Sequence, residues 1–142
     1  RAMETVAPDG LPERYTGARH FGTAIYFLLR SADYSAFHRL LSDEHWHFHT
    51  GSAAVIHIIG PDGQYEARHI GPDLDAGQQF LVTIPANSWF AAEVKTPNSY
   101  ILVSCTVSPG FDFADFELAQ QKALLASYPA HADLIKRFTK TP

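Results

Sequence analysis

The chain has 142 residues, of which 46% are hydrophobic and 18% charged, a balance typical of one folded domain and not of a disordered chain. The net charge of −4 and the lack of any run of Lys and Arg argue against a nucleic-acid partner. No apolar stretch approaches the ~18 residues of a membrane span, and no signal-peptide pattern is visible, so no membrane partner is expected. Cys105 is the only cysteine, which excludes a disulfide within the chain and is typical of a reducing, cytoplasmic location.

The chain is punctuated by turns in a way that indicates short strands. Residues 1–20 are rich in Pro and Gly and predict an irregular N-terminal arm. Apolar, β-branched segments then predict strands at 23–29, 37–41, 44–49, 53–59, 65–70, 80–84, 89–94 and 100–107. Turns spaced about eight to twelve residues apart favour an all-β sandwich or barrel over alternating strands and helices.

The pattern of apolar residues changes after residue 110. Residues 116–126 and 130–138 have the periodicity of helices and predict a short helical tail. We therefore predict a single domain over residues 1–142, with the arm at 1–20, an all-β core at 21–110 and a C-terminal strand and helical tail at 111–142.

The predicted strand at 44–49 is the segment richest in groups capable of chemistry. Side chains two positions apart share a face of a strand. One face therefore carries Glu44, Trp46 and Phe48, and the other carries the histidines at positions 45, 47 and 49. Imidazoles suit several transition metals, but three on one strand project in parallel about 7 Å apart and do not converge easily on one ion. A solvated or interface face is the better interpretation of the histidines, and the residues alone leave open which face points inward.

His38 and Glu44 form the stronger candidate pair. An imidazole and a carboxylate facing one apolar cavity can bind a metal, act as an acid–base pair, or support the core through a buried hydrogen bond. The sequence contains no nucleophile elbow, phosphate-binding loop or His-Glu-x-x-His motif. Cys105 lies within a predicted apolar strand and is interpreted as a small buried hydrophobe.

Several segments resemble the cupin superfamily, and within it the Cupin_5 group, which is related in shape to dTDP-sugar 3,5-epimerases. The segments that carry the resemblance are TAIYFLL at 23–29, SDEHWH at 42–47, IPANSWFAA at 84–92 and PGFDFADFEL at 109–118, the most specific of them. The resemblance covers nearly the whole chain from about residue 10. It implies a double-stranded β-helix, or cupin jelly roll, with an internal cavity, and usually a homodimer.

The general cupin metal motif bears on the metal hypothesis. Its first half has two histidines two positions apart, then a glutamate and a glycine. Here His38, Glu44 and Gly51 match, and Leu40 stands at the second histidine. Its second half ends in a histidine, and Phe90 stands there. Two of the four usual ligands are thus apolar, so no cofactor is expected, and a divalent metal held by His38 and Glu44 is the alternative.

The likeness to epimerases implies a different, metal-free chemistry. In those enzymes a histidine removes a proton beside a carbonyl group and a tyrosine returns one. His38 matches the base, Glu44 is a candidate to orient it, and Tyr26 and Tyr15 are candidate acids. A neutral imidazole with a pKa near 6.5 suits proton abstraction at physiological pH. A nucleotide sugar would also need cations for its diphosphate, and few are at hand: the arginines at positions 14, 19 and 30.

The sequence therefore predicts a small-molecule-binding cupin whose leading activity is metal-independent isomerisation or epimerisation of a sugar or other small carbonyl compound. The alternatives are a metal-dependent cupin enzyme of the dioxygenase type that uses His38 and Glu44, and a binding protein without catalysis. The side chains expected to contact the ligand are Trp46, Phe48, Trp89, Phe90 and His47.

Overall fold

Two antiparallel β-sheets face each other in the computed structural model, which describes residues 4–140. One sheet has the strand order β3-β10-β5-β8, the other β11-β4-β9-β6-β7, and β1 pairs with β2 apart from both. The strands are β1 (Thr5–Val6), β2 (Arg19–His20), β3 (Thr23–Arg30), β4 (Tyr34–Leu40), β5 (Glu44–Gly51), β6 (Ala54–Ile59), β7 (Tyr65–Ile70), β8 (Leu81–Ile84), β9 (Trp89–Val94), β10 (Tyr100–Val107) and β11 (Phe116–Leu118). The predicted all-β jelly roll with a short C-terminal helical tail is confirmed.

The main core fills the space between the two sheets. Alternate residues of each strand point into it, as the period of two in a strand requires. Strand β9 contributes Phe90 and Ala92, and β10 contributes Ile101 and Val103, all fully buried. The same alternation turns Glu44 and Trp46 of β5 inward and leaves the three histidines of that strand on the outer face. The sequence alone did not decide which face of β5 points inward. In the structure it is the face that carries the Glu44 carboxylate.

A second core lies between the five-stranded sheet and the C-terminal helices α1 (Gln121–Ser127) and α2 (Ala132–Arg137). Phe37 and Trp89 point outward from the sheet and pack with Phe138 at the end of α2. Glu93 adds a polar clasp, because it accepts hydrogen bonds from His57 at 3.2 Å and from Arg137 at 2.5 Å. The tail is thus fixed to the sheet by apolar packing and by one buried carboxylate.

The predicted helix at 116–126 is the main departure from the expected elements. The helix α1 begins only at Gln121, and residues 116–118 form β11 instead. The register pairs Phe116 with Leu40 and Leu118 with His38. Strand β11 therefore completes the edge of the sheet next to β4, and the hydrogen bonds gained there outweigh the weak helical pattern of three residues.

The first three residues of the predicted arm and the last two of the tail lie outside the described residues, and residues 4–20 contain only β1, β2 and a short 3₁₀ turn. Among residues 4–140, no helix is both long and apolar enough to cross a membrane.

Candidate functional site

A cavity of about 670 Å³ opens between the sheets at one end of the jelly roll. That volume lies within the range of sites for small organic ligands. Its walls come from five strands and from the segment between β10 and β11. The lining residues are Thr23, Ala24, Ile25 and Phe27 of β3, Ser35, His38 and Leu40 of β4, Glu44 and Trp46 of β5, Cys105 and Val107 of β10, and Phe111, Asp112, Phe113 and Phe116.

A β-bulge in β4 aims His38 into this cavity. Ser35 pairs with Ala92 and His38 pairs with Phe90, so two residues of β4 stand opposite Ala91 alone. In a regular strand, residues three positions apart point to opposite faces. The extra residue brings Ser35 and His38 to the same face, and both line the cavity.

The bulge also sets the state of the His38 imidazole. Its Nδ1 lies 2.7 Å from the carbonyl oxygen of Ala36, within the bulge. A carbonyl oxygen only accepts, so the hydrogen of the neutral ring sits on Nδ1 and Nε2 carries a free lone pair. The ring of Phe90 packs against the imidazole with centroids 4.0 Å apart. Burial lowers the pKa of His38 and so keeps the base form at neutral pH.

Glu44 lies on a different wall of the same cavity. Its Oε1 accepts a hydrogen bond of 3.0 Å from the indole of Trp46, and its carboxyl group also contacts the thiol of Cys105. Burial raises the pKa of Glu44, and these two contacts oppose that shift only in part. The same surroundings raise the pKa of the Cys105 thiol, which makes it a poor nucleophile. Glu44 is bonded to Trp46 and not to His38, so it does not orient the imidazole.

An aromatic rim lies at the mouth of the cavity, and the sequence alone predicts no specific role for it. Phe111, Phe113 and Phe116 meet edge to face, with centroids 5.1 to 6.4 Å apart. Asp115 holds this segment, because it accepts two hydrogen bonds from the buried Arg19 guanidinium at 2.7 and 2.5 Å. The alternating aromatics at 111 and 113 were the available signal, but nothing in the chain order shows that they fold over the cavity.

The Arg19–Asp115 pair gives a testable stability prediction. Replacing Asp115 by Ala would leave a buried guanidinium without its partner, since both side chains are only 4% exposed. We expect a loss of about 3 kcal/mol in the free energy of unfolding, measured by urea denaturation. Asp33→Ala removes the exposed partner of Arg30 and is the control, with a loss well below 1 kcal/mol. Equal losses in the two variants would contradict the importance of the buried pair.

The structure brings some of the predicted site residues together and separates others. His38, Glu44 and Trp46 line the cavity. Phe90 lies beneath the His38 ring, and Phe48 packs into the core beside Phe80. The remaining three lie away from the cavity: Tyr26, His47 and Trp89.

The reason for each separation is the facing of the strand. Tyr26 is 76% exposed on the outer face of β3, because Ile25 and Phe27 take the inward positions. His47 lies on the outer face of β5 and bonds the hydroxyl of Thr106 at 2.8 Å. Trp89 belongs to the second core beneath α2. Tyr26 therefore does not serve as an acid at this cavity.

Comparison with known proteins places the chain in a family. The model of Cupin_5, described as Cupin superfamily (DUF985), matches residues 2–119. The chain belongs to this cupin family. A search of the curated proteins found no match to it.

Three solved structures resemble this cupin over most of its length. A hypothetical protein from Leishmania major is 32% identical, with a TM-score of 0.89 over 99% of this chain and 86% of that one. A protein from Shewanella oneidensis is 36% identical, with a TM-score of 0.83 over 100% of this chain and 86% of that one. A dTDP sugar isomerase from Desulfovibrio desulfuricans is 16% identical, with a TM-score of 0.60 over 85% of this chain and 82% of that one, and shares the fold alone.

The donor set of this cupin can be compared with the requirements of a metal ion. Within residues 4–140, no three side chains of His, Cys, Asp or Glu are grouped so as to hold one. His38 and Glu44 line the cavity with the apolar Leu40, and Phe90 covers one face of the imidazole. Two protein donors fall short of the three that catalytic metal sites usually provide. The residues present do not fit a tightly held metal.

Proposed function

We propose that this cupin binds a small carbonyl compound in its cavity and moves a proton on it without a metal, as an isomerase or epimerase does. The observation that carries the proposal is that His38, whose Nδ1 is engaged with Ala36 and whose Nε2 keeps its lone pair, lines the same cavity as Glu44. The fold shared with a dTDP sugar isomerase supports the reaction class. Opposite shifts of the two pKa values keep the imidazole neutral and favour a protonated carboxyl group, the forms that a base and an acid need.

The proposed step transfers two protons. Nε2 of His38 takes a proton from the carbon beside the carbonyl group, and the electron pair of that C–H bond becomes the double bond of an enol. The carbonyl oxygen takes the proton of the Glu44 carboxyl group. Return of a proton from the His38 imidazolium to the same carbon, with the enol O–H proton going back to Glu44, gives hydrogen exchange alone. Isomerisation needs a hydroxyl group on that carbon, so that the intermediate is an enediol. The His38 imidazolium then gives its proton to the former carbonyl carbon, the neighbouring O–H proton passes to the Glu44 carboxylate, and the carbonyl group has moved by one carbon. Both side chains are then restored.

Deuterium exchange tests the proposal directly. The protein is incubated in D₂O with a panel of keto-sugars and simple ketones, and loss of the proton signal beside the carbonyl group is followed by NMR. We expect exchange in at least one compound that is faster than in buffer. Tight binding without exchange across the panel would contradict the proposed reaction and favour a binding protein.

Metal content distinguishes the proposal from the dioxygenase alternative. Elemental analysis of protein purified without chelators is compared with that of the variant His38→Ala. Near one equivalent of iron, zinc, nickel or manganese that disappears in the variant would overturn the metal-independent mechanism. Persistence of exchange after treatment with a chelator is the result expected from the proposal.

The pKa shifts predict a bell-shaped pH profile for the exchange. His38 must be neutral, and burial lowers its pKa, so kcat/KM is expected to fall only at a pH below 6.5. Glu44 must be protonated, and burial raises its pKa, so the alkaline limb is expected above pH 4.5. The measurement is kcat/KM for exchange over a pH series. An acid limb above pH 7 would contradict the role of the buried imidazole.

Homodimer formation stays a prediction from the family resemblance, and a cytoplasmic location stays a prediction from the single cysteine. Light scattering is expected to give about twice the chain mass of 15.7 kDa. A mass of one chain at micromolar concentration would contradict the dimer.

A further inference from the structure

The mouth of the cavity has exposed apolar side chains, and the described residues that line it include neither lysine nor arginine. Phe113 is 81% exposed and Ile25 is 61% exposed, although both line the cavity. The acidic side chains in the lining are Glu44 and Asp112. Apolar surface in a concave site is the surface that a ligand gains most by covering.

The arginines that the sequence offered for an anionic ligand are engaged elsewhere. Arg19 is held by Asp115, and Arg30 forms an exposed pair with Asp33. Arg14 donates to the carbonyl oxygen of Leu41. None of the three lines the cavity. Arg39, next to His38, points to the opposite face. Its Cζ lies 4.5 Å from the centroid of the Trp89 ring, and its Nη2 lies 2.6 Å from Oε2 of Glu117.

We infer that the ligand of this cavity is an uncharged carbonyl compound with an apolar body, and that phosphate- and diphosphate-bearing sugars are excluded. This inference rests on the proposed function for the carbonyl group and on the lining for the rest. A phosphate needs cationic or N–H donors to replace its hydration, and the described lining has no lysine or arginine, while the His38 Nδ1–H and the Trp46 indole N–H already donate to Ala36 and Glu44. Trp46 and Phe27 provide an apolar floor, with ring centroids 5.4 Å apart, and the aromatic rim covers the other end.

A matched pair of compounds tests the charge. The ketone 4-(4-hydroxyphenyl)-2-butanone and the monophosphate ester formed at its phenol oxygen differ only in the phosphate group. We expect calorimetry to show at least tenfold tighter binding of the ketone, and dTDP to show no binding at millimolar concentration. Asp112→Asn keeps the side-chain oxygen that accepts the 2.8 Å hydrogen bond from the Ala114 backbone N–H, and it removes the negative charge. We expect it to reduce the ratio of the two affinities, ketone over phosphate ester, by about threefold. Equal or tighter binding of the phosphate ester would overturn the inference.

A second variant tests the contact at the mouth. Phe113→Ala removes a mostly exposed ring, so the fold is expected to persist, while the ketone should bind about fivefold to tenfold more weakly. Tyr26→Ala is the matched control, because this ring is 76% exposed on the outer face and should leave the affinity unchanged. An unchanged affinity in Phe113→Ala would overturn the placement of the ligand. Tight ketone binding without deuterium exchange would refute the proposed reaction and leave this inference standing.

Discussion

Replacing His38 by Gln is expected to slow deuterium exchange by roughly 10²- to 10⁴-fold, the usual contribution of a general base. Glutamine keeps a polar side chain of similar length but has no lone pair with the basicity of imidazole Nε2. The loss should appear mainly in kcat, since the carbonyl compound is held by the apolar walls and not by this nitrogen. The measurement is the NMR exchange rate at saturating substrate.

Two controls separate chemistry from structure in that experiment. Near-ultraviolet circular dichroism and the urea midpoint should change little, because His38 lines a cavity and glutamine, of similar length, covers the Phe90 ring in its place. In His38→Ala, added imidazole should restore part of the exchange. Exchange at more than about a third of the wild-type rate in His38→Gln would show that another group is the base.

The part of this site that the sequence predicted is the part governed by local periodicity. Alternation along β5 separates Glu44 and Trp46 from the three histidines, and the structure turns the carboxylate inward. The same rule of alternation places Tyr26 outside, but its use required the register of β3, which depends on the pairing of Ser104 with Tyr26 across two distant segments. The sequence contains no local sign of that pairing.

The bulge and the rim could not be predicted for a related reason. The bulge in β4 exists only relative to β9, more than fifty positions later, so its effect on His38 is invisible in the segment around it. The rim depends on β11 pairing with the edge of β4, and three residues carry too little pattern to distinguish strand from helix. Long-range pairing therefore determined the features that local propensity left open.

Replacing Glu44 by Gln is expected to have two effects: the protein becomes more stable near neutral pH, and deuterium exchange becomes slower. Above the unfolded pKa, folding must either bury the Glu44 charge or protonate the carboxyl group, and an amide avoids both costs while it still accepts the hydrogen bond from the Trp46 indole. We expect a gain of roughly 0.5–2 kcal/mol in the free energy of unfolding, the range usual for a single stabilising substitution. Exchange should fall by roughly 10²- to 10⁴-fold, because the amide cannot deliver a proton to the carbonyl oxygen.

The pH dependence of this gain follows from the direction of the pKa shift. Because the folded pKa of Glu44 is raised above 4.5, the wild type loses stability as the pH rises from 4.5 through the folded value. The advantage of Glu44→Gln should therefore be absent below pH 4.5 and complete above the folded pKa, as followed by urea denaturation at several pH values. Glu66→Gln, on the exposed strand β7, is the control and should show no such trend. A variant less stable than the wild type at pH 7 would mean that Trp46 and Cys105 stabilise the carboxylate more than burial disfavours it, and the acid role of Glu44 would then fail with it.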